Sequence, residues 1–172
     1  MSPIIRNLNK SRYLLVRNMH DSIAQIAKMT KAVWAGLGPG FTESVYHRAL
    51  EKELQLFSIK YDSEVIIPFI YKNRIVGHGR GDLLIHRDDK KSVLVELKAT
   101  TTPSSDNDVM QLQRYMKFMC LDEGLLIHFG QKRGSSYTIK HTTTEVTRDI
   151  MESTLEKDHS FLETDIVNTD TK

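Results

Sequence analysis

Two carboxylates and a lysine interrupt two neighbouring apolar runs of this 172-residue chain. Asp82 opens the first run, and Glu96 and Lys98 lie in the second. The charged turn between the runs is centred on Asp89, so a symmetric hairpin would place Asp82 directly opposite Glu96. Opposed residues of a hairpin share one face of the sheet, and so do residues two apart on a strand. The spacing therefore predicts a patch of two carboxylates and one ammonium group.

This patch has two chemical interpretations. Opposed carboxylates can bind one Mg²⁺ ion between them, which removes their mutual repulsion and leaves water molecules on the metal. Alternatively, the lysine neutralises one of the acids and the three groups form a structural ion cluster. The hairpin by itself supports both interpretations equally.

Glu43 is a third acidic residue that the sequence places near the apolar core. It stands at the start of a helix predicted over 42–57, for which Thr42 is a suitable N-cap. At roughly 100° per residue, Glu43 falls about 20° from Leu50 and Leu54, within the apolar stripe, and a buried acid needs a partner. Glu53 falls in the same stripe, and a first-turn position favoured by the helix dipole is the alternative for Glu43.

The elements that must position these residues follow from the hydrophobic periodicity. Helical spacing predicts helices over 23–37, 42–57 and near 108–121, and apolar runs predict strands over 65–71, 75–86, 92–99, 125–129 and 137–140. Pro68 suits an edge strand or a bulge, and Gly77, Gly79 and Gly81 indicate twist or close approach of another group. The order ααβββαββ predicts an α+β (mixed α/β) domain, with a central mixed β-sheet flanked by helices.

Five motifs, in order along the chain, resemble those of a known family. They are Leu37-Gly38-Pro39-Gly40-Phe41-Thr42-Glu43-Ser44-Val45-Tyr46, Asp82-Leu83-Leu84, Glu96-Leu97-Lys98-Ala99, Gln111-Leu112-Gln113-Arg114-Tyr115 and Gly124-Leu125-Leu126-Ile127-His128-Phe129-Gly130. Together they are similar to the GxxExxY protein family, a branch of the PD-(D/E)xK nuclease superfamily, and the Q-x-x-x-Y element is similar to the RecB-like subgroup. The resemblance implies a restriction-endonuclease-like core and a metal-dependent nuclease that hydrolyses phosphodiester bonds in DNA, in repair, recombination or processing.

The resemblance also implies roles for individual residues. Mg²⁺, with Mn²⁺ as a substitute, would be held by Asp82, Glu96 and the Leu97 carbonyl, with Glu43 completing the site. Lys98 would position or activate the attacking water. The remaining residues of the implied catalytic set are Gln111 and Tyr115, which share one helix face at their i, i+4 spacing. Trp34 departs from the pattern, because many members of the family have a histidine at that position.

The distribution of charge is compatible with a nucleic-acid partner, for which the resemblance favours DNA. Up to residue 144 the chain has 21 basic and 14 acidic residues, whereas the last 28 residues have three basic and eight acidic ones. A basic body can hold a polyanion, and a solvated surface is the alternative. The residues predicted to hold the phosphate backbone are Arg80, Arg114, Lys117, Lys132 and Arg133. A catalytically silent nucleic-acid-binding or assembly protein that retains the nuclease fold is the alternative function.

The domain organisation follows from the same pattern. We expect a basic N-terminal arm over 1–20, a PD-(D/E)xK nuclease-like domain over 21–141, and an acidic tail over 142–172 with one short helix near 146–155. The single cysteine, Cys120, predicts a buried structural thiol in an intracellular protein of the cytoplasm or nucleus, with organelle import by the basic N-terminus as an alternative. The histidines at 78, 86, 128 and 141 lack metal-ligand spacing and are expected at surface or core positions. No apolar run is long enough for a membrane span. The sequence leaves open whether the protein forms a homo-oligomer.

Overall fold

Three helices and six strands form the described part of the chain, which is residues 23–87, 91–144 and 147–149 of the computed structural model. The helices are α1 (Ile23–Leu37), α2 (Glu43–Leu56) and α3 (Asp106–Met119). The strands are β1 (Tyr61–Tyr71), β2 (Arg74–His86), β3 (Ser92–Lys98), β4 (Glu123–Phe129), β5 (Tyr137–Thr143) and β6 (Thr147–Asp149). The predicted order of elements is confirmed as far as β5, and β6 is an additional strand.

The strands form one mixed sheet in the order β1-β2-β3-β4-β5-β6. Neighbouring strands are antiparallel except for β3 and β4, which are parallel and are joined through α3. A parallel pair requires such a crossover because the chain must return to the same end of the sheet. Pro68 lies in β1, at one edge, and the register shifts between Phe69 and Ile70. The predicted edge position of this proline is therefore confirmed.

Helices cover both faces of the sheet. On one face, α1 and α2 pack on a core that includes Leu83, Ile85, Val93, Val95, Leu97, Leu125 and Ile127. On the other face, α3 places Leu112 and Met116 over Leu94 and Leu126. Because side chains alternate along a strand, Glu96 and Lys98 belong to the same side of β3 as Leu94. The sheet flanked by helices confirms the predicted fold class.

Strand β2 changes the face that it presents at Asp82. A Cβ atom on Gly79 would lie 2.6 Å from Tyr115 Cε1, and one on Gly81 would lie 2.8 Å from Leu94 Cδ1, so both positions face the α3 side. Leu83 lies two residues after Gly81 and would share its face in a regular strand, but it packs on the α1–α2 side. The residue between Ser63 and Val65 on the facing strand, Glu64, has a φ of +51°. Close approach of other groups is thus confirmed for Gly79 and Gly81.

Two local expectations, for Glu43 and Cys120, are wrong, and that for Thr42 is confirmed only in part. Glu43 is exposed and is the first residue of α2, so it does not lie in the buried stripe. Thr42 occupies the N-cap position, but its side chain makes no capping hydrogen bond and lies 3.0 Å from Ser44 Oγ instead. Cys120 is exposed rather than buried, because α3 ends at Met119 and Cys120 turns out of the helix in a left-handed conformation with φ +54°.

The end of the domain also differs from the prediction. Strand β5 continues to Thr143, and Thr147–Asp149 pairs with it as β6 where the short helix was expected to begin. The predicted N-terminal arm and the tail after residue 149 lie outside the described residues. None of the helices in the described ranges is long and apolar enough to cross a membrane.

Candidate active site

Asp82 and Glu96 face each other at the end of the β2–β3 ladder. Leu83 pairs with Val95, and the next position of this register places Asp82 opposite Glu96. Asp82 Oδ2 accepts a 2.6 Å hydrogen bond from the Leu97 N–H, and the Glu96 carboxylate accepts one from the Asp82 N–H. Each carboxylate therefore accepts a hydrogen bond from a backbone N–H group of the facing strand, at the point where the regular ladder stops. The structure thus brings together the two acids that the sequence paired.

Glu96 is a buried acid with an unsatisfied oxygen. The residue is 3% exposed, and its Oε1 has no hydrogen-bond partner among the described residues. Burial, followed by the Asp82 carboxylate, raises the pKa of Glu96 to about 8, while Lys98 and the Asp82 N–H act in the opposite direction. A buried polar atom without a partner is costly, so this site requires either a proton or a cation.

Glu43 reaches the same site from the start of α2. Its carboxylate accepts a hydrogen bond from the Ala99 N–H, directly after β3. Although the residue as a whole is exposed, desolvation of its carboxylate and then Asp82 raise the pKa of Glu43, and Lys98 opposes the shift. Three carboxylates and one ammonium group therefore act on one another at the carboxyl end of β3.

Lys98 is not consumed by an ion pair. Among the described residues, none of the ion pairs involves Lys98, although its charge acts on Glu43, Glu96 and Asp108. A structural ion cluster would hold the lysine in direct contact with one of the acids. Lys98 is therefore not the direct ion-pair partner that the structural interpretation of the patch requires.

The donor atoms fit a divalent cation. Asp82, Glu96 and Glu43 offer carboxylate oxygens, which are the ligands that Mg²⁺ and Mn²⁺ prefer. In an antiparallel pair the N–H and C=O groups of one residue face the same neighbour, so Leu97 directs its carbonyl towards Asp82 as well. Within the described ranges no three His, Cys, Asp or Glu side chains are grouped closely enough to hold a metal. The carboxylates therefore fit a divalent cation by their chemistry, but the described side chains do not form a closed metal cage.

Two further residues adjoin Lys98 that the sequence did not single out for the site. Asp108 lies at the start of α3. Desolvation raises the pKa of its carboxyl group, but two hydrogen bonds from Ser105, together with Lys98 and His128, outweigh this effect and lower the pKa. His128 is paired with Lys98 across β3 and β4, is 5% exposed, and donates from Nε2 to the Thr100 carbonyl at 3.1 Å. The capping-box pattern of Ser105 and Asp108 was readable in the sequence, whereas the parallel pairing of His128 was not.

Gln111 and Tyr115 lie on α3, on the face of the sheet that also carries Glu96. Gln111 Nε2 donates to the Tyr115 hydroxyl at 3.3 Å, and the Tyr115 ring stacks on Phe69 with 6.0 Å between centroids, above Gly79. Within the described residues, this hydrogen bond joins the two side chains to each other and not to Lys98. Their predicted catalytic role stays a prediction.

The five predicted phosphate-binding cations are exposed and lie on three different parts of the chain, β2, α3 and the turn between β4 and β5. Arg80 stands two residues before Asp82 and lies 3.8 Å from Glu64 in an exposed ion pair. Lys132 and Arg133 are exposed in the turn between β4 and β5. The other two, Arg114 and Lys117, are exposed on α3, whereas Leu112 and Met116 of that helix face the sheet.

Trp34 has a packing role in the position where the family pattern has a histidine. Its ring centroid lies 6.2 Å from that of Phe129 and 6.3 Å from that of Tyr137. Phe129 also stacks on Tyr46 at 4.3 Å, so Trp34 extends an aromatic cluster on the α1–α2 side of the sheet. The position is therefore used for the core.

A mixed sheet between helices, with acids and a lysine at the end of its central strand, defines a restriction-endonuclease-like fold. The family model of the PD-(D/E)XK nuclease superfamily matches residues 20–141, and the chain belongs to this superfamily. No curated protein matches the chain. Among solved structures, the chain is similar to the crystal structure of SSO0001, with 21% identity, a TM-score of 0.47, and coverage of 58% of this chain and 50% of that one. The chain thus matches half the length of that protein.

Proposed function

We propose that this protein is a divalent-metal-dependent nuclease that hydrolyses phosphodiester bonds in DNA, in repair, recombination or processing. Asp82, Glu96 and the Leu97 carbonyl would hold Mg²⁺ or Mn²⁺, with Glu43 completing the site. The observation that carries the proposal is the buried Glu96 carboxylate, which faces Asp82 with one oxygen unpartnered and a pKa raised to about 8. A divalent cation is the partner that satisfies both acids together.

The residues around the acids supply the other requirements of phosphodiester hydrolysis. When bound, the metal would polarise a phosphate oxygen and lower the pKa of a bound water. Lys98, with its ammonium group free of ion pairs among the described residues, would orient the attacking water and stabilise the negative charge that develops on the phosphate. Glu43, fixed by the Ala99 N–H, would hold a proton or a water on the opposite side of the site from α3.

The substrate backbone would be held by exposed cations, of which Arg80 is closest in sequence to the acids. None of the three helices in the described ranges resembles a base-reading helix, so we propose cleavage without sequence specificity. DNA is preferred to RNA on the family resemblance alone.

Cleavage of single-stranded, duplex, flap and junction DNA in Mg²⁺ or Mn²⁺ tests the proposal. Lys98→Ala is expected to lose about 100-fold or more in rate while remaining folded, because it removes one stabilising charge from the transition state. Lys52→Ala is the matched control, since Lys52 is an exposed lysine on α2. Undiminished activity in Lys98→Ala would mean that a different site, or a contaminant, cleaves the DNA.

The second candidate function is a nucleic-acid-binding protein that retains the fold without catalysis. It is favoured by one observation, the absence from the described residues of three side chains grouped closely enough to hold a metal. Thermal unfolding with and without Mg²⁺ or Mn²⁺ separates the two functions. The nuclease proposal expects stabilisation of the wild type that disappears in Glu96→Gln, whereas the silent protein would show DNA binding with no metal response in either.

A further inference from the structure

The loop between α1 and α2 presents an aromatic side chain to solvent beside the candidate active site. Phe41 is 44% exposed and stands two residues before Glu43. Its ring meets the edge of the Tyr46 ring at 85° with 6.3 Å between centroids, and it pairs with no other ring in the described residues. An exposed phenylalanine is common on protein surfaces, so its surroundings decide whether it has a role.

The backbone of this loop is fixed from two sides. The Tyr46 hydroxyl donates to the Gly38 carbonyl at 2.7 Å, and the Gly40 N–H donates to Gln131 Oε1 at 2.9 Å. Tyr46 is itself fully buried and stacked on Phe129 at 4.3 Å. Gln131 also donates to the Phe129 carbonyl at 2.9 Å. The loop is therefore held by the buried Tyr46 on α2 and by Gln131, which lies two residues after the end of β4, and Phe41 is presented on a fixed support.

The loop that carries Phe41 is open at its two glycines. Gly38 and Gly40 have φ of +67° and +107°, and a Cβ atom at either position would meet nothing within 4 Å. Positive φ at these positions is what glycine allows and other residues resist. The loop therefore has open space at both glycine positions, and Phe41, which follows Gly40, is itself 44% exposed.

Two cations accompany the same loop. Lys132 and Arg133 follow Gln131 directly and are exposed in the turn between β4 and β5. Since Gln131 is bonded to Gly40, the turn that carries these cations is joined to the loop that carries Phe41. Proteins that bind single-stranded nucleic acid combine exposed aromatic rings, on which bases stack, with basic side chains that follow the phosphates.

We propose that Phe41 is a base-stacking platform that admits unpaired nucleotides to the active site, with Lys132 and Arg133 holding the adjacent phosphates. The substrate class is therefore single-stranded DNA, or a single-stranded region of a branched molecule. A base in an intact duplex has both faces covered by its neighbours, so duplex DNA gains nothing from this ring. The inference rests on the proposed nuclease function and specifies the substrate of that same site.

The test is the affinity for a fluorescently labelled single-stranded oligonucleotide and for the matching duplex. Ca²⁺ serves as the cation, and a gel verifies that the oligonucleotides stay intact. Wild type is expected to bind the single strand more tightly. Phe41→Ala is expected to weaken that binding about tenfold or more and to leave duplex affinity unchanged, because stacking is lost only for unpaired bases. Phe41→Tyr should restore the affinity, and Phe41→Leu, which keeps an apolar side chain without a ring, should not.

A second readout reports stacking itself. An oligonucleotide that contains 2-aminopurine is expected to lose fluorescence on binding to wild type and to Phe41→Tyr, but not to Phe41→Ala or Phe41→Leu. Leu56→Ala is the matched control, since Leu56 is 64% exposed at the other end of α2 and should have no effect. Unchanged affinity and quenching in Phe41→Ala, or preference of the wild type for duplex, would overturn the platform. Because cleavage is measured separately, a metal-dependent nuclease that passes the Lys98 test would survive that result, and a wild type that binds and cleaves no DNA would overturn both proposals.

Discussion

Replacing Glu96 with glutamine is expected to stabilise the metal-free protein near neutral pH and to abolish its response to divalent cations. In the folded protein, burial and then Asp82 raise the pKa of Glu96 from 4.5 to about 8. In the unfolded chain the ordinary value returns. Between these two values the unfolded chain has released the proton and the folded protein has not, so the free energy of unfolding falls as the pH rises.

The size of the effect follows from the interval between the two pKa values. Each pH unit in this interval removes about 1.4 kcal/mol, so the loss at pH 7 is roughly 3 kcal/mol relative to pH 4.5. A glutamine at position 96 does not titrate, and its amide can donate to the facing Asp82 carboxylate. Glu96→Gln should therefore lack this part of the pH dependence and be more stable than wild type by up to about 3 kcal/mol at pH 7.

Urea unfolding in EDTA at half-unit steps from pH 5 to pH 8.5 measures this difference. Glu53→Gln is the matched control, because it changes an acid of α2 that is not part of the site and should keep the wild-type slope. Addition of Mg²⁺ or Mn²⁺ should then stabilise wild type and the control but not Glu96→Gln, since the cation replaces the proton on Glu96. Parallel pH profiles for wild type and Glu96→Gln in EDTA would refute the reasoning, and so would equal stabilisation of both by metal.

Two other substitutions probe the support of the site. Gly79→Ala places a Cβ atom 2.6 Å from Tyr115 and should lower the free energy of unfolding by about 1–3 kcal/mol. Gly36→Ala, on open helix surface, is the control and should be neutral or slightly stabilising. Urea unfolding measures both, and comparable midpoints for the two variants would contradict the packing around Gly79. His128→Ala removes the 3.1 Å hydrogen bond to Thr100 and should destabilise the protein by about 1–3 kcal/mol. Differential scanning calorimetry measures this change, with His78→Ala, at an exposed position of β2, as the control. An unchanged melting temperature in His128→Ala would contradict this role.

Much of the acidic site could be predicted because its geometry is local. Asp82 and Glu96 belong to one hairpin, and the centre of its charged turn fixes which residues are opposed. Strand alternation then assigns Glu96 and Lys98 to one side. A short antiparallel connection leaves few alternatives for the register, which is why the pairing followed from residue spacing alone.

The errors come from features that residue periodicity does not contain. A helical wheel placed Glu43 in the apolar stripe, but Glu43 is the first residue of α2 and its carboxylate turns to the Ala99 N–H instead. The exposure of Cys120 depends on where α3 ends, one residue earlier. His128 lies thirty residues after Lys98 and pairs with it only because the crossover places β4 parallel to β3. No local sequence pattern predicts such a pairing.

The parallel pairing of β3 and β4 has a consequence for the order in which the protein can be built. Synthesis delivers Asp82, Glu96 and Lys98 first, but the second edge of β3 stays unpaired until residues 123–129 have left the ribosome. Pairing across that crossover is slower than hairpin closure, because the loop entropy of α3 and its flanks is spent before the new contacts form. A nascent chain therefore contains the acids before β4 is available to pair with β3, and the candidate site is complete only after β4 has docked.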